Sequence, residues 1–123
     1  MSINRKLILC SLILLGVVTI SYAKISESFF QHQWCLIEGG QTKYTLPDRT
    51  RIDCLTESHA VEVDFADKWA EALGQSLHYS PMTGKRAGIL LVLSTPNDDR
   101  LLKRMESVIQ HFDLPIDVFT LRK

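Results

Sequence analysis

The chain has 123 residues, of which 46% are hydrophobic, and its 14 basic and 14 acidic side chains give a formal net charge of zero. This length fits a single domain, and the balanced charge excludes the strongly basic surface that proteins use for tight, non-specific binding of nucleic acids. Any contact with DNA or RNA would have to be local or bridged by a metal ion.

The first 23 residues have the features of a secretory signal peptide. Arg5 and Lys6 form its charged start, residues 7–20 are apolar, and a Ser-Tyr-Ala ending places small residues where signal peptidase reads them. Cleavage predicts a periplasmic or secreted bacterial protein of residues 24–123, with 12 basic and 14 acidic side chains and no membrane attachment. An uncleaved inner-membrane anchor is the alternative, because the segment approaches the shortest spanning length of about 17 residues.

Two cysteines, Cys35 and Cys54, remain in residues 24–123. In an oxidising compartment they could form a disulfide, which would close a loop of about 20 residues and stabilise the fold by roughly 3 kcal/mol. The other interpretation is a pair of buried free thiols that act as small hydrophobic side chains. Both interpretations stay open at this stage, whereas the spacing of these cysteines with His59 does not match a structural zinc site.

The first half of residues 24–123 is predicted to form a helix and three strands. Ser26 is a favourable helix cap, and Gly39 with Gly40 is typical of a helix end. Pro47 begins a turn between two strands that return on each other as a hairpin. The predicted elements are a helix over residues 26–37 and strands over residues 41–46, 50–55 and 60–63.

The second half is predicted to alternate between helices and strands. Pro81 is expected to end the first of these helices, and the continuous apolar run GILLVL is typical of a strand buried on both faces. A crossover of this kind after a hairpin predicts a mixed sheet with helices on both faces, which is a three-layer α/β domain. The predicted elements are a helix over residues 64–79, a strand over residues 88–93, a helix over residues 95–114 and a strand over residues 117–121.

Acidic residues inside two of the apolar strands call for an explanation. Asp53 is central in the second strand and Glu62 lies near the end of the third. Burial of an unpaired carboxylate is costly, so these two side chains are predicted to converge on a hard divalent cation, Mg²⁺ or Mn²⁺. The alternative is that both are strand charges that face solvent.

The helix over residues 64–79 is predicted to be amphipathic. Its apolar face contains two aromatic and several aliphatic side chains, and Asp64 could cap its start. On the opposite face, Lys68, Gln75 and Tyr79 are spaced by seven and four residues, which places them nearly in line along the helix axis. They are either part of a site beside the strand acids or an ordinary solvated face.

The order of these residues resembles the PD-(D/E)xK nucleases, which have the restriction-endonuclease-like fold. Arg-Ile-Asp53 matches the family's first acid and Val-Glu62-Val-Asp matches its second. Gln75-Ser-Leu-His-Tyr79 matches the Gln-x-x-x-Tyr motif of its RecB-like and phage-exonuclease-like branches. The resemblance covers about residues 26–93 and implies the family's three-layer αβββαβ core, followed here by a C-terminal helix and strand.

The resemblance implies a hydrolase that cleaves phosphodiester bonds of nucleic acid, DNA more than RNA, with Mg²⁺ or Mn²⁺ as cofactor. Its metal ligands would be Asp53 and Glu62, with Asp64 as a third carboxylate. The implied catalytic residues are Asp53, Glu62, Lys68, Gln75 and Tyr79. Lys85 and Arg86, a basic pair before the buried strand, are candidates for contact with substrate phosphate.

One position departs from the family pattern. The family has a lysine two residues after its second acid, and this chain has Asp64 there. Lys68 could be that lysine displaced to the following helix, as in some family members, or Asp64 could be a third ligand to the metal. If neither holds, the chain is a catalytically inactive binding or interaction module on the same fold, or a small disulfide-stabilised exported protein without a site. Glu27 and Gln31 lie one turn apart on the first helix, where the family often has another acid.

Overall fold

The computed structural model describes residues 25–123, and the predicted signal peptide at residues 1–23 lies outside this part of the chain. Three helices and five strands follow one another in the predicted order, and a short 3₁₀ turn precedes the second helix. The elements are α1 Glu27–Ile37, β1 Gln41–Thr45, β2 Arg51–Leu55, β3 His59–Phe65, the turn Ala66–Lys68, α2 Trp69–Thr83, β4 Arg86–Leu93, α3 Asp98–His111 and β5 Ile116–Arg122.

The five strands form one mixed sheet in the order β1-β2-β3-β4-β5. The hairpin β1-β2 and the pair β2-β3 are antiparallel, whereas β4 runs parallel to both β3 and β5. This arrangement confirms the predicted mixed sheet, because a strand that returns through a helix crossover pairs in parallel. From Ala87 to Leu93, β4 is buried, as its continuous apolar run predicts.

Helices cover both faces of the sheet. On one face, Phe30 and Cys35 of α1 pack with Val61, Val63 and neighbouring residues of β4. The opposite face packs α2 and α3 against the other side of β4, in a cluster that includes Leu73, Ile89, Leu91 and Met105. The chain therefore forms an α/β domain with a helix layer on each side of a mixed sheet.

The boundary between β3 and α2 differs from the prediction. Asp64 lies within β3, opposite Leu91 of β4, and the α-helix begins only at Trp69. The predicted role of Asp64 as a helix cap is therefore wrong. The strand is longer than predicted because parallel pairing with β4 continues as far as Phe65, a contact that local sequence does not reveal.

The end of α2 also differs from the prediction. Pro81 lies inside the last turn of this helix instead of ending it. The helix ends at Gly84, whose φ of 69° is accessible to glycine and whose N–H donates to the Ser80 carbonyl. Loss of one backbone donor at Pro81 is tolerated there because only the final turn follows it.

A disulfide joins α1 to β2. The Cα atoms of Cys35 and Cys54 lie 5.6 Å apart, and both residues are completely buried. The structure thus adopts the bonded alternative for these two cysteines. The covalent link holds α1 against the strand that carries Asp53. Separately, no helix within residues 25–123 combines the length and the apolarity needed to cross a membrane.

Candidate active site

One cavity brings together all five residues predicted to be catalytic. It has a volume of about 380 Å³ and is bounded by β2, β3, the 3₁₀ turn and α2, with one side chain contributed by α1. Residues far apart in sequence meet here because Asp53 and Glu62 lie on adjacent strands and α2 crosses back over them. Its lining residues are Glu27, Thr50, Arg51, Asp53, Glu62, Asp64, Lys68, Glu71, Gln75 and Tyr79.

Asp53 lies where the pairing between β2 and β3 ends. Within residues 25–123, β2 and β3 form only two residue pairs, Cys54 with Val61 and Leu55 with Ala60. Both pairs follow Asp53 on β2. Beyond these pairs, the Val63 N–H donates to the Asp53 carboxylate at 2.8 Å, so the side chain replaces a strand partner. The Asp53 carbonyl instead accepts a hydrogen bond of 2.9 Å from the Gln31 amide of α1.

Opposing influences act on the Asp53 carboxyl. Burial raises its pKa, and the hydrogen bond from the Val63 N–H lowers it, with a net rise. The separation of β2 from β3 leaves this carboxyl beside the cavity, where Glu62 lies on the next strand. The two acids predicted to converge are therefore lining residues of the same space.

Glu62 is the most unusual residue of the cavity. It is only 6% exposed, and its Oε2 atom has no hydrogen-bond partner among residues 25–123. Burial, followed by repulsion from Asp53 and Asp64, raises the pKa of its carboxyl to about 9. An orphaned buried carboxylate oxygen costs free energy unless a cation or a proton neutralises it.

Asp64 and Lys68 form the part of the cavity next to α1. Asp64 is 3% exposed, and burial and the nearby Glu27 carboxyl raise its pKa to about 8, against the opposing effect of Lys68. The Lys68 ammonium lies 3.8 Å from the Asp64 carboxylate and 3.8 Å from that of Glu27. These two acids raise the pKa of Lys68, with Glu27 the larger cause, so its positive charge is held beside them.

Tyr79 and Gln75 enter the cavity from α2. Tyr79 is 3% exposed, so the interpretation of this helix face as an ordinary solvated face is wrong for Tyr79. Burial, followed by the carboxylates of Glu62 and Asp53, raises the pKa of its phenol, which therefore remains a hydrogen-bond donor. Gln75 lies one helical turn earlier and is half-buried.

The oxygen-rich lining fits a hard divalent cation. Five carboxylates line the cavity against the positive charges of Arg51 and Lys68. Among residues 25–123, no three His, Cys, Asp or Glu side chains form a ready-made metal-binding group. Mg²⁺ commonly binds through one or two carboxylates and keeps several waters, so Asp53 and Glu62 would be a sufficient protein contribution.

Lys85 and Arg86, the predicted substrate contacts, do not line this cavity. They lie at the start of β4, where Arg86 is in register with His59 and not with the cavity acids further along β3. The Lys85 ammonium donates to the Glu57 carbonyl. Arg86 makes two hydrogen bonds to the Asp117 carboxylate, which the ring of His59 also contacts at 2.7 Å.

This cluster around Asp117 predicts an effect on acid stability. Hydrogen bonds from Arg86 and His59 lower the pKa of Asp117 to about 2, so its stabilising contribution is present above pH 4 and is lost as the pH falls towards 2. We expect Asp117→Asn to lower the melting temperature at pH 7 by roughly 2–6 °C, in line with a partly exposed ion pair. The difference from the unsubstituted protein should narrow between pH 4 and pH 2 in melting curves.

Asp113→Asn is the matched control for this prediction, because Asp113 is exposed and has a φ of 51°, which asparagine accepts readily. It should change the melting temperature little at any pH. An Asp117→Asn curve that runs parallel to the unsubstituted protein down to pH 2 would contradict the assignment.

Part of the cavity lining and the support of Asp53 were not predicted from the sequence. Arg51 and Glu71 were not predicted to be site residues, although Arg51 directly precedes the Ile-Asp53 motif. Gln31 is 5% exposed, and no predicted function covered its hydrogen bond to the Asp53 backbone. Its position one turn before Cys35 could have revealed it, because residues four apart share a helix face.

Comparison of the chain with models of known protein families finds no match, and no curated protein or solved structure matches it either. The fold and the site define the protein as an α/β domain with an acid-lined cavity between two diverging strands and a helix.

Proposed function

We propose that this protein is a metal-dependent nuclease with the αβββαβ core of the PD-(D/E)xK superfamily, acting on DNA or, less often, RNA. The observation that carries the proposal is the orphaned, buried Oε2 of Glu62, in one cavity with Asp53, Lys68, Gln75 and Tyr79. The order α1-β1-β2-β3-α2-β4 agrees with the core that the resemblance implies. The acids and the Gln-x-x-x-Tyr pair lie on the elements where that family has them.

Asp53 and Glu62 would hold the cation, with Asp64 as the next carboxylate along β3. When bound, Mg²⁺ or Mn²⁺ would supply the positive charge that lowers the pKa of a water molecule and offsets the charge of the phosphate. Without the cation, burial and mutual repulsion keep Glu62 and Asp64 mostly protonated at neutral pH, and the remaining carboxylates of the cavity repel a phosphodiester. Cleavage should therefore depend strictly on the cation.

The remaining side chains would bind and orient the substrate. In the reaction, the oxygen of a water molecule bonds to phosphorus, one phosphorus–oxygen ester bond breaks, and the leaving oxygen takes up a proton. Lys68 holds a positive charge at the edge of the acid cluster, where it can offset charge on the phosphate in the transition state. Tyr79 and Gln75 present a hydroxyl and an amide that can donate hydrogen bonds to phosphate oxygens or to the water.

A catalytically inactive binding module is the second candidate, and the contacts of Lys68 favour it. The family's lysine position holds Asp64 here, and the Lys68 ammonium lies 3.8 Å from each of two carboxylates, with which it can pair without any phosphate. A module of this kind would bind the divalent cation, or a ligand that carries one, without hydrolysis.

Incubation of the purified protein with single-stranded and double-stranded DNA and with RNA tests the proposal. We expect cleavage with Mg²⁺ or Mn²⁺ and none with a chelator. Lys68→Ala should slow cleavage by about 10-fold to 100-fold, because one cation near the reacting phosphate is lost. Lys103→Ala is the control, since Lys103 is an exposed lysine of α3.

The outcomes separate the candidates. Calorimetric binding of Mn²⁺ without cleavage of any of these nucleic acids would favour the inactive binding module. Absence of both cleavage and cation binding would contradict both candidates. Equal rates for Lys68→Ala and the unsubstituted protein would remove Lys68 from the proposed site.

A further inference from the structure

Two consecutive residues of β2 are attached to one face of α1. The Gln31 amide nitrogen donates to the Asp53 carbonyl at 2.9 Å, and Cys35 is bonded covalently to Cys54. Gln31 and Cys35 are four residues apart, which is about one helical turn, so both attachments come from the same side of the helix. Both side chains are buried, Gln31 at 5% exposure and Cys35 at 0%.

This attachment lies where the sheet gives Asp53 the least support. In the described chain, the β2–β3 residue pair nearest to Asp53 is Cys54 with Val61, and Asp53 itself has no paired residue on β3. Instead, the Asp53 carboxylate accepts a hydrogen bond from the Val63 N–H, and the Asp53 carbonyl accepts one from Gln31. The carboxylate is therefore positioned from two sides, by β3 through the Val63 N–H and by α1 through the backbone.

We propose that α1 is the positioning element of the cavity, and that reduction of the Cys35–Cys54 disulfide weakens cation binding by loosening Asp53. Gln31 is a positioning residue in this scheme, since it acts on Asp53 and does not line the cavity itself. The positioning of Asp53 stands on the geometry alone. The consequence for cation binding rests on the proposed function.

The reductant belongs to the class of dithiols. A dithiol would supply two electrons and two protons, break the sulfur–sulfur bond and leave Cys35 and Cys54 as thiols, while it is itself oxidised to a disulfide. Both sulfurs are completely buried, so the dithiol can reach them only when the part of α1 around Cys35 opens locally. The domain should stay folded afterwards, because Phe30 still packs edge-to-face against Phe65, with ring centroids 6.1 Å apart. The Gln31 hydrogen bond would then hold the Asp53 backbone without the covalent link beside it. Reduction would therefore loosen Asp53 within a folded protein.

Hydrogen exchange at the Val63 amide tests the positioning directly. Its protection should fall at least about tenfold in the reduced protein and in Gln31→Met, which keeps the side-chain length but removes the donor. Gln33→Met is the matched control, because Gln33 lies on the same helix but is exposed, and it should exchange like the unsubstituted protein. Equal protection of Val63 in the oxidised protein, the reduced protein and Gln31→Met would overturn the inference.

Calorimetry with Mn²⁺ tests the functional consequence. We expect binding about tenfold to 100-fold weaker after reduction, with the dithiol removed under nitrogen, and in Gln31→Met, as for loss of a residue that orients a metal ligand. Met105→Ala is the control for general destabilisation, because Met105 is completely buried in the helix layer on the other side of the sheet. It should bind Mn²⁺ as tightly as the unsubstituted protein.

The two measurements distinguish a failure of the proposed function from a failure of the inference about α1. If the oxidised, unsubstituted protein binds no Mn²⁺, the proposed function is contradicted, and the Val63 amide alone decides the inference. If the oxidised and reduced proteins bind Mn²⁺ equally well, the redox dependence is overturned whatever the activity. If Met105→Ala weakens Mn²⁺ binding as much as reduction does, the redox dependence is overturned too, because the loss of binding would then follow from lower stability of the fold.

Discussion

Replacement of Glu62 by glutamine should abolish metal-dependent cleavage and, without metal, make the protein more stable at neutral and alkaline pH. Loss of a charged ligand is expected to slow cleavage by at least about 100-fold, because several kcal/mol of transition-state stabilisation depend on the bound cation. The gain in stability has the same origin. Without a bound cation, a charge on the orphaned Oε2 is costly to bury, and the neutral amide of glutamine removes that charge.

The pH dependence of this gain follows from the direction of the pKa change. Burial and the nearby acids raise the pKa of Glu62 from its usual value of 4.5 to about 9, so protonation stabilises the folded state. That contribution is fully present below pH 4.5 and is lost as the pH rises through 9. The difference in melting temperature between Glu62→Gln and the unsubstituted protein should therefore grow from pH 5 to pH 9 in the presence of a chelator.

Glu106→Gln is the control, because Glu106 is an exposed acid of α3 outside the cavity. Its melting temperature should follow that of the unsubstituted protein at every pH. Saturating Mn²⁺ should raise the melting temperature of the unsubstituted protein and of Glu106→Gln, but not of Glu62→Gln, since only proteins that bind the cation gain stability from it. Parallel melting curves for all three proteins would count against the cavity as a cation site.

Among the glycines that the structure describes, Gly40 should be the one whose replacement by alanine destabilises the protein most. A Cβ at Gly40 would lie 2.6 Å from the Cys54 sulfur and 2.8 Å from the Cys35 sulfur, both closer than real contacts allow. The sulfurs cannot move aside easily, because they are bonded to each other and completely buried. We expect a loss of about 3 kcal/mol in the free energy of unfolding, measured in urea under oxidising conditions.

Gly74→Ala provides a control of opposite sign. Gly74 lies within α2, and a Cβ there would meet nothing within 4 Å. Alanine should therefore stabilise the helix by about 0.5–1 kcal/mol. If Gly40→Ala unfolds at the same urea concentration as the unsubstituted protein, the close packing of the disulfide against Gly40 is contradicted.

The order of helices and strands could be predicted because it depends on local patterns. The apolar run of β4 indicates a buried strand. Gly39 indicates the end of α1, because glycine readily accepts the left-handed backbone conformation, here with a φ of 67°, that follows many helices. Asp53 and Glu62 could be singled out because a carboxylate within an apolar strand is costly wherever that strand lies. These properties belong to a few consecutive residues.

Pairing between distant elements decided the rest. Asp64 has the local pattern of a helix cap, yet parallel pairing with Leu91 retains it in β3 and turns it into the cavity. Tyr79 lies on the polar face of α2 by periodicity, but it is buried because it packs with Leu46, Ile52 and Ala60 beside the strand acids. Local sequence does not contain the partner in either case.

The sequence by itself determined the order of the elements, the two strand acids and the shared face of Gln75 and Tyr79, since spacing along one helix sets which side chains share a face. Lys68 was predicted to lie on that helix but belongs to the 3₁₀ turn before it. Only the tertiary structure decided that these groups line one cavity, that Glu62 keeps an orphaned oxygen there, and that Asp53 is held by Gln31. The physical reason is that burial and hydrogen-bond partners depend on which elements pack together. No local sequence pattern in β2 or in β3 marks the point at which these two strands separate.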